Sequence, residues 1–448
     1  MLYSFLELPQ ESRINFPIKG GFIPMKNSGS KKLNWLWLRN FAIFSILLFS
    51  SIWRLGEVPY HQDESAWIFM SRNYEAFVQF NFRDPLWKES FWTLTQPPLA
   101  GYLIGIGRNL GGISADQVCQ PYDFFISADE NIARGAIPNP NLLWWARFPM
   151  AILTSISFMI LFLMIEKGFG ATAGWVYLFL TLGNKYLYYC LRLALGEASL
   201  LFFLCFAMAF ASLAYQSWQN KAIPEQQRII HILIHFLIMS VFIGFSTASK
   251  LNGGFAVIAA IILSQSIGLS EIKGIYRTWF LWKFPILIGS VSFFTFFIIN
   301  PFLYSSPIIN SLKLLMFRNL EIGIQESTFS EHQISGIAQQ LQIDFQRIFQ
   351  DYATFNFPGA WIINLMFFCA GFFILLRNFK QYKSRSTPWI FVLFGGIVSF
   401  PSLFTPLDYP RYFLFPVIFT LLLSSVGMAY ISIILWSIWK KRPSKGYS

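Results

Sequence analysis

Charge is what this sequence has least of: Asp, Glu, Lys and Arg make up 12% of 448 residues, too little polar surface to solvate a globule of that size. Cysteine is scarce too. Cys190, Cys205 and Cys369 fall in or beside apolar runs and Cys119 stands alone, so neither a disulfide framework nor a cysteine metal cluster is supported. Of the four histidines, His231 and His235 are spaced i, i+4 at the start of an apolar run with no Glu between them, which reads as structural. His61 and His332 remain as single potential ligands without a pairing. No internal repeat, low-complexity tract or soluble catalytic domain is visible. The net charge of +12 is scattered over loop ends rather than gathered on one face, so no nucleic-acid partner is implied.

What is abundant is apolar sequence, 55% of residues, arranged in long runs. In hydrocarbon each backbone N–H and C=O must be paired within its own helix, and a span takes roughly 20 apolar residues. Runs near 35–53, 144–165, 171–189, 197–217, 229–247, 253–269, 284–303, 358–376, 388–404 and 412–436 meet or approach that length. The expected fold is an all-α polytopic membrane protein of about ten transmembrane helices, within a range of nine to twelve. Segment 96–110 is short, opens on Pro97 and Pro98 and ends in glycines around Arg108, so it reads as an interfacial helix.

Basic residues collect on one side of this arrangement. Arg13, Lys19, Lys26, Lys31 and Lys32 precede the first span, Arg377, Lys380, Lys383 and Arg385 fill a later loop, and Lys440, Lys441, Arg442 and Lys445 close the chain. Positive short loops stay in the cytoplasm, which puts both termini inside. Counting 96–110 as a span would carry Arg377–Arg385 outside. The expected organisation is a cytoplasmic tail (1–34), a membrane domain (35–436) with outer excursions at 54–143 and 304–357, and a basic cytoplasmic tail (437–448). The first apolar run lacks a small-residue cleavage site and reads as an uncleaved anchor. A bacterial inner membrane is the expected location.

Chemistry is therefore sought in the outer excursions and at the membrane boundary. Tyr60-His61-Gln62-Asp63-Glu64-Ser65 places two adjacent acids just after the first span. Such acids are costly at a boundary unless their charge is used, as general base toward an acceptor or as ligands for a divalent cation. The alternative is plain dipole stabilisation at a helix start. Glu197 opens a later span on the same face, with the same two readings. Arg147, Arg192, Lys250 and Arg411 are the cations there; each could anchor its helix by snorkelling, but four beside the acids suit a phosphate. The second excursion carries Glu321, Glu326, Glu331 and His332 and reads as a solvated lid or partner surface.

The order of these motifs resembles the membrane glycosyltransferases of the C-type fold, in particular the protein O-mannosyltransferase and aminoarabinose transferase group. His61-Gln62-Asp63-Glu64 looks like that group's Asp-Glu signature, and Gln96-Pro97-Pro98-Leu99 is similar to its Lys-Pro-Pro-Leu segment. Ala146-Arg147-Phe148-Pro149 looks like an Ala-Arg-Leu-Pro opening, Leu191 to Glu197 resembles the stretch ending in a second acid, and Arg411-Tyr412 with Pro416 matches a late Arg-Tyr motif. The resemblance implies a polyprenyl-phosphate sugar donor and an outer-face site. Catalytic roles would fall to Asp63, Glu64 and Glu197, donor-phosphate contacts to Arg147, Arg192, Lys250 and Arg411, and pocket positions to His61, Gln96 and Tyr412. No cofactor beyond an optional divalent cation is expected; membrane lipids and an acceptor of unspecified chemistry are the other partners. Two positions depart from the pattern. Gln96 stands where Lys is usual, removing a phosphate-binding charge that Arg83, Lys88 or Lys250 would have to replace, and Glu197 stands where Asp is common. Two other readings are a lipid or solute transporter, which would need midplane polar groups and matching halves, and a non-catalytic relative, which Gln96 favours.

Overall fold

The computed structural model describes residues 29–89, 91–269, 274–355, 357–377 and 386–440. The expected basic clusters at Arg13–Lys26, Lys380–Arg385 and Lys441–Lys445 lie outside the described residues. Helices dominate, and among the described residues nine are long and apolar enough to cross a membrane: Trp35–Glu57, Pro140–Phe169, Glu197–Gln219, Glu225–Ser249, Leu251–Gly268, Ile275–Ile299, Ala360–Arg377, Thr387–Phe404 and Pro410–Lys440. The chain is an all-α polytopic membrane protein.

The expected span at 171–189 is two helices, Ala171–Leu182 and Lys185–Arg192, separated by Gly183 and Asn184. Asn184 accepts the Leu187 N–H at 2.9 Å and donates to the Tyr352 carbonyl at 2.9 Å, so its amide starts a new helix instead of continuing the old one. Twelve residues make a rod of roughly 18 Å, short of the hydrocarbon thickness.

Segment 96–110 is helical over Leu99–Leu110 and is packed against protein, with seven of its twelve residues buried. A Cβ on Gly107 would collide with Pro149 of the Pro140–Phe169 helix, so only glycine permits this approach. Arg108 at its end is fully buried, donates to the Ile113 carbonyl at 2.7 Å and pairs with Glu75. A second close crossing joins Ala360–Arg377 to Pro410–Lys440, where Cβ atoms on Gly371 or Gly427 would strike the facing backbone. Small residues at such crossings let membrane helices touch through their main chains.

The two outer excursions form one cap, joined where the Phe91–Thr95 helix packs on Pro307–Thr328, and the second is tied to the segment before the last span. Ile334 N–H donates to the Pro406 carbonyl and Asp408 N–H to the His332 carbonyl, both at 2.9 Å. Arg347 grips Asp408 through Nε (2.9 Å) and Nη2 (2.6 Å), and the Tyr186 hydroxyl donates to the Pro410 carbonyl at 2.6 Å. These bonds fix the segment that leads into Arg411.

Candidate active site

Helix ends far apart in sequence meet beneath this cap. Asp63 opens a short helix (Asp63–Met70), Glu197 begins the Glu197–Gln219 helix, Lys250 follows Glu225–Ser249, and Arg411 precedes Leu414–Lys440. Asp63 is ion-paired with Arg411, both side chains 16% exposed. Glu197 accepts from Lys250 Nζ at 2.6 Å. A third pair comes from the second excursion: Arg318 and Glu321, one turn apart on the Pro307–Thr328 helix, bind each other, and Gln96 Nε2 donates to both Glu321 oxygens at 3.2 Å. All three pairs, with Gln96, Trp92 and Tyr412, surround one small cleft. This cleft adjoins a cavity of about 650 Å³ that shares Asp63, Trp92, Glu321 and Arg411 with it and opens under the cap. Cavities of that size enclose small molecules.

Electrostatics here favour charged side chains despite burial. Burial by itself would raise the pKa of Asp63, but the positive charge of Arg411, with His61 when protonated and Lys250, outweighs it and holds the carboxyl below its usual range. For His61 burial outweighs the raising pull of Asp63 and, with Arg411, holds the imidazole below its ordinary value, so it is neutral at physiological pH. His61 Nδ1 accepts the Asp63 N–H at 3.2 Å, which assigns the proton to Nε2. The three carboxylates each face a basic side chain, and among the described residues no group of three or more His, Cys, Asp or Glu could hold a metal ion.

Glu64, next to Asp63 in the chain, does something else. It is fully buried, as is Arg147. Arg147 donates to Glu64 through Nε (2.7 Å) and Nη2 (2.6 Å), and to the carbonyls of Leu55, Val58 and Pro59 at 2.8–3.2 Å. Those five bonds use all five guanidinium N–H groups. Glu64 also accepts the N–H groups of His61 (3.0 Å) and Ala194 (2.8 Å). The phosphate-binding role expected of Arg147 and the catalytic role expected of Glu64 therefore do not fit: neither has a free hydrogen-bonding position or a path to the cavity. The pair instead ties the turn carrying Asp63 to the turn carrying Glu197. Arg192 also departs from expectation. Its Nε and Nη1 donate to the carbonyls of Tyr188 (3.0 Å) and Trp53 (2.8 Å), away from the cleft.

Asp63, His61, Glu197, Lys250, Arg411, Gln96 and Tyr412 are thus brought together. Arg318, Glu321 and Trp92 belong with them, a grouping that the sequence alone does not show. For Arg318 and Glu321 the signal in the sequence is their i, i+3 spacing opposite the exposed apolar face Ile308, Leu312, Leu315 and Met316 of the same helix; Trp92 carries none.

No protein-family model matches this sequence, and no curated protein matches it. Solved structures do. The Archaeoglobus fulgidus oligosaccharyltransferase tethered to an acceptor peptide is similar over 89% of this chain and 50% of its own, with 14% identity and a TM-score of 0.52. ArnT from Cupriavidus metallidurans bound to undecaprenyl phosphate is similar over 91% of this chain and 64% of its own, with 15% identity and a TM-score of 0.50. This chain spans between half and two thirds of those proteins, and the likeness defines its architecture: the C-type membrane glycosyltransferase fold.

Proposed function

We propose that this protein is a membrane glycosyltransferase that moves a sugar from a polyprenyl-phosphate donor to an acceptor on the extracytoplasmic face, in a bacterial inner membrane with both termini cytoplasmic. The observation that carries this reading is the Asp63–Arg411 pair, placed where the charged cleft meets the larger cavity. The fold supports it, since neighbours with that fold are glycosyltransferases, one of them bound to a polyprenyl phosphate. A transporter would need its polar groups at the bilayer midplane, whereas these gather at helix ends.

In this reading Arg411, Lys250 and Arg318 receive the donor phosphate. The loss of Lys at position 96 is offset by Arg318, which Gln96 approaches through their shared partner Glu321. Phosphate drawn to Arg411 competes with Asp63 for the guanidinium. Asp63, less neutralised, becomes the stronger base and takes the acceptor's proton as the acceptor atom bonds to the anomeric carbon. The bond from that carbon to the phosphate oxygen breaks, and polyprenyl phosphate leaves as an anion that the cations stabilise without a separate general acid. With side-chain cations beside the phosphate, a divalent ion has no assigned step.

The test is release of polyprenyl phosphate from radiolabelled polyprenyl-phosphate sugars by the purified protein in lipid nanodiscs, with lipid, glycan and peptide acceptors supplied to receive the sugar, with and without a chelator. Turnover of at least one donor, insensitive to the chelator, is expected. Absence of both turnover and binding across pentosyl and hexosyl donors would remove the reading.

A further inference from the structure

The larger cavity changes chemistry from its floor to its mouth. Its floor carries Asp63 and Arg411; its mouth is an arch of aromatic rings supplied by both excursions and by the segment before the last span. Tyr122 packs on Phe124 (ring centroids 5.2 Å apart), Phe124 meets Phe329 edge-on at 5.6 Å, and Phe329 reaches Tyr409 at 6.2 Å. Phe125 also lines the cavity and remains 73% exposed. The arch is rigidly mounted. Buried Asn131 bonds both backbone groups of Asp123 at 2.8–2.9 Å, and the Tyr122 N–H donates to Ser65 Oγ at 2.7 Å, two residues from Asp63.

We infer that this mouth is the acceptor subsite and that the acceptor it takes is a hydroxylated sugar ring, an inference that rests on the transferase reading above. A pyranose has C–H faces that suit the negative faces of aromatic rings, and a rim of hydroxyls that needs polar partners between those rings. The mouth supplies both. Asp123 and Arg134, paired at 3.1 Å, stand beside Phe124, and Gln325 on the facing helix has a buried Oε1 without a hydrogen-bond partner. Rotation of the Gln325 side chain toward the cavity would let that oxygen accept a sugar hydroxyl, satisfying an acceptor otherwise left unpaired. A peptide finds less here. Peptide-binding grooves commonly offer a row of main-chain groups, yet the N–H groups of Tyr122, Asp123 and Phe125 are already taken by Ser65, Asn131 and Asp123 side chains. An aliphatic chain would meet the Asp123–Arg134 pair between the rings. The sugar's attacking hydroxyl gives its proton to Asp63 and its oxygen to the donor's anomeric carbon.

The experiment is ligand-detected saturation-transfer NMR on the full chain in nanodiscs, using methyl hexopyranosides and short oligosaccharides beside Ser-, Thr- and Asn-containing peptides. Binding of polyprenyl phosphate is read in parallel on the same preparations. Saturation of sugar ring protons is expected, with affinity lowered roughly tenfold in Phe124→Ala and in Phe125→Ala, as loss of one ring contact implies. Phe125 is exposed, so its variant keeps the fold. Binding confined to peptides, absence of glycoside binding, or glycoside binding unchanged in both variants would overturn the inference. Glycosides bound by a protein that ignores polyprenyl phosphate would instead remove the transferase reading and leave the sugar subsite standing.

Discussion

Asp63 and Glu64 are neighbours in the chain, each bound to an arginine, and the two pairs live in different solvents. Glu64 and Arg147 are sealed, with their hydrogen-bonding positions filled by each other and by backbone. Asp63 and Arg411 border a cavity, partly exposed, with a second cation from Lys250 close enough to act on the carboxyl. In the proposed mechanism the sealed pair contributes position and the bordering pair contributes reactivity. Substitution should therefore separate them by readout: fold for one, turnover for the other.

The largest contrast is expected between the acids. Asp63→Asn should lower transfer by roughly 10²–10⁴-fold, the usual worth of a general base, in protein that accumulates normally. Glu64→Gln leaves Arg147 buried without its counter-charge, and breaking such a pair costs about 3–5 kcal/mol; a fall in thermal stability and membrane yield is the readout. The arginines sharpen the same division. Arg411→Lys keeps the charge but loses the planar fork, so donor affinity should weaken roughly tenfold in folded protein. Arg147→Lys exchanges five donors for three and should lower the melting temperature whether or not donor is present.

The pH dependence separates His61 from Asp63. The native pKa of Asp63 is lowered, so its contribution to stability is full above about pH 4 and is lost only as pH falls below the ordinary carboxylate value. The native pKa of His61 is also lowered, so the unfolded chain binds more protons just below about pH 6.5 and stability declines from there downward. Melting temperatures recorded from pH 7 to 3 should show both falls, and His61→Gln should shrink the upper one. Smallest of all, Arg192→Gln should change donor turnover by less than about threefold, since its bonds are to Trp53 and Tyr188 carbonyls outside the cleft.

The spans were legible because hydrocarbon leaves the backbone only one solution, and long apolar runs write it directly into the sequence. The break at Gly183-Asn184 was not, because the bond that holds it open runs to Tyr352, distant in the chain. Within the site, Asp63, Glu197, Lys250 and Arg411 were legible as charges at the ends of apolar runs. Arg147 carried the same signal and means something different. What distinguishes it is the set of carbonyls from Leu55, Val58 and Pro59, some ninety positions earlier, that folds over it. Arg318 and Glu321 were hidden for the opposite reason. They sit within a half-apolar outer helix, where an i, i+3 ion pair is ordinary surface chemistry until the fold turns it toward the cleft.

The most direct test of the division between these neighbouring acids is one side-by-side measurement: turnover of a radiolabelled polyprenyl-phosphate sugar and melting temperature for wild type, Asp63→Asn and Glu64→Gln, each in nanodiscs. The account predicts an Asp63→Asn protein that melts within a few degrees of wild type and does not turn over, and a Glu64→Gln protein that melts markedly lower. Retained turnover in Asp63→Asn, or a Glu64→Gln protein as stable as wild type but inactive, would contradict it.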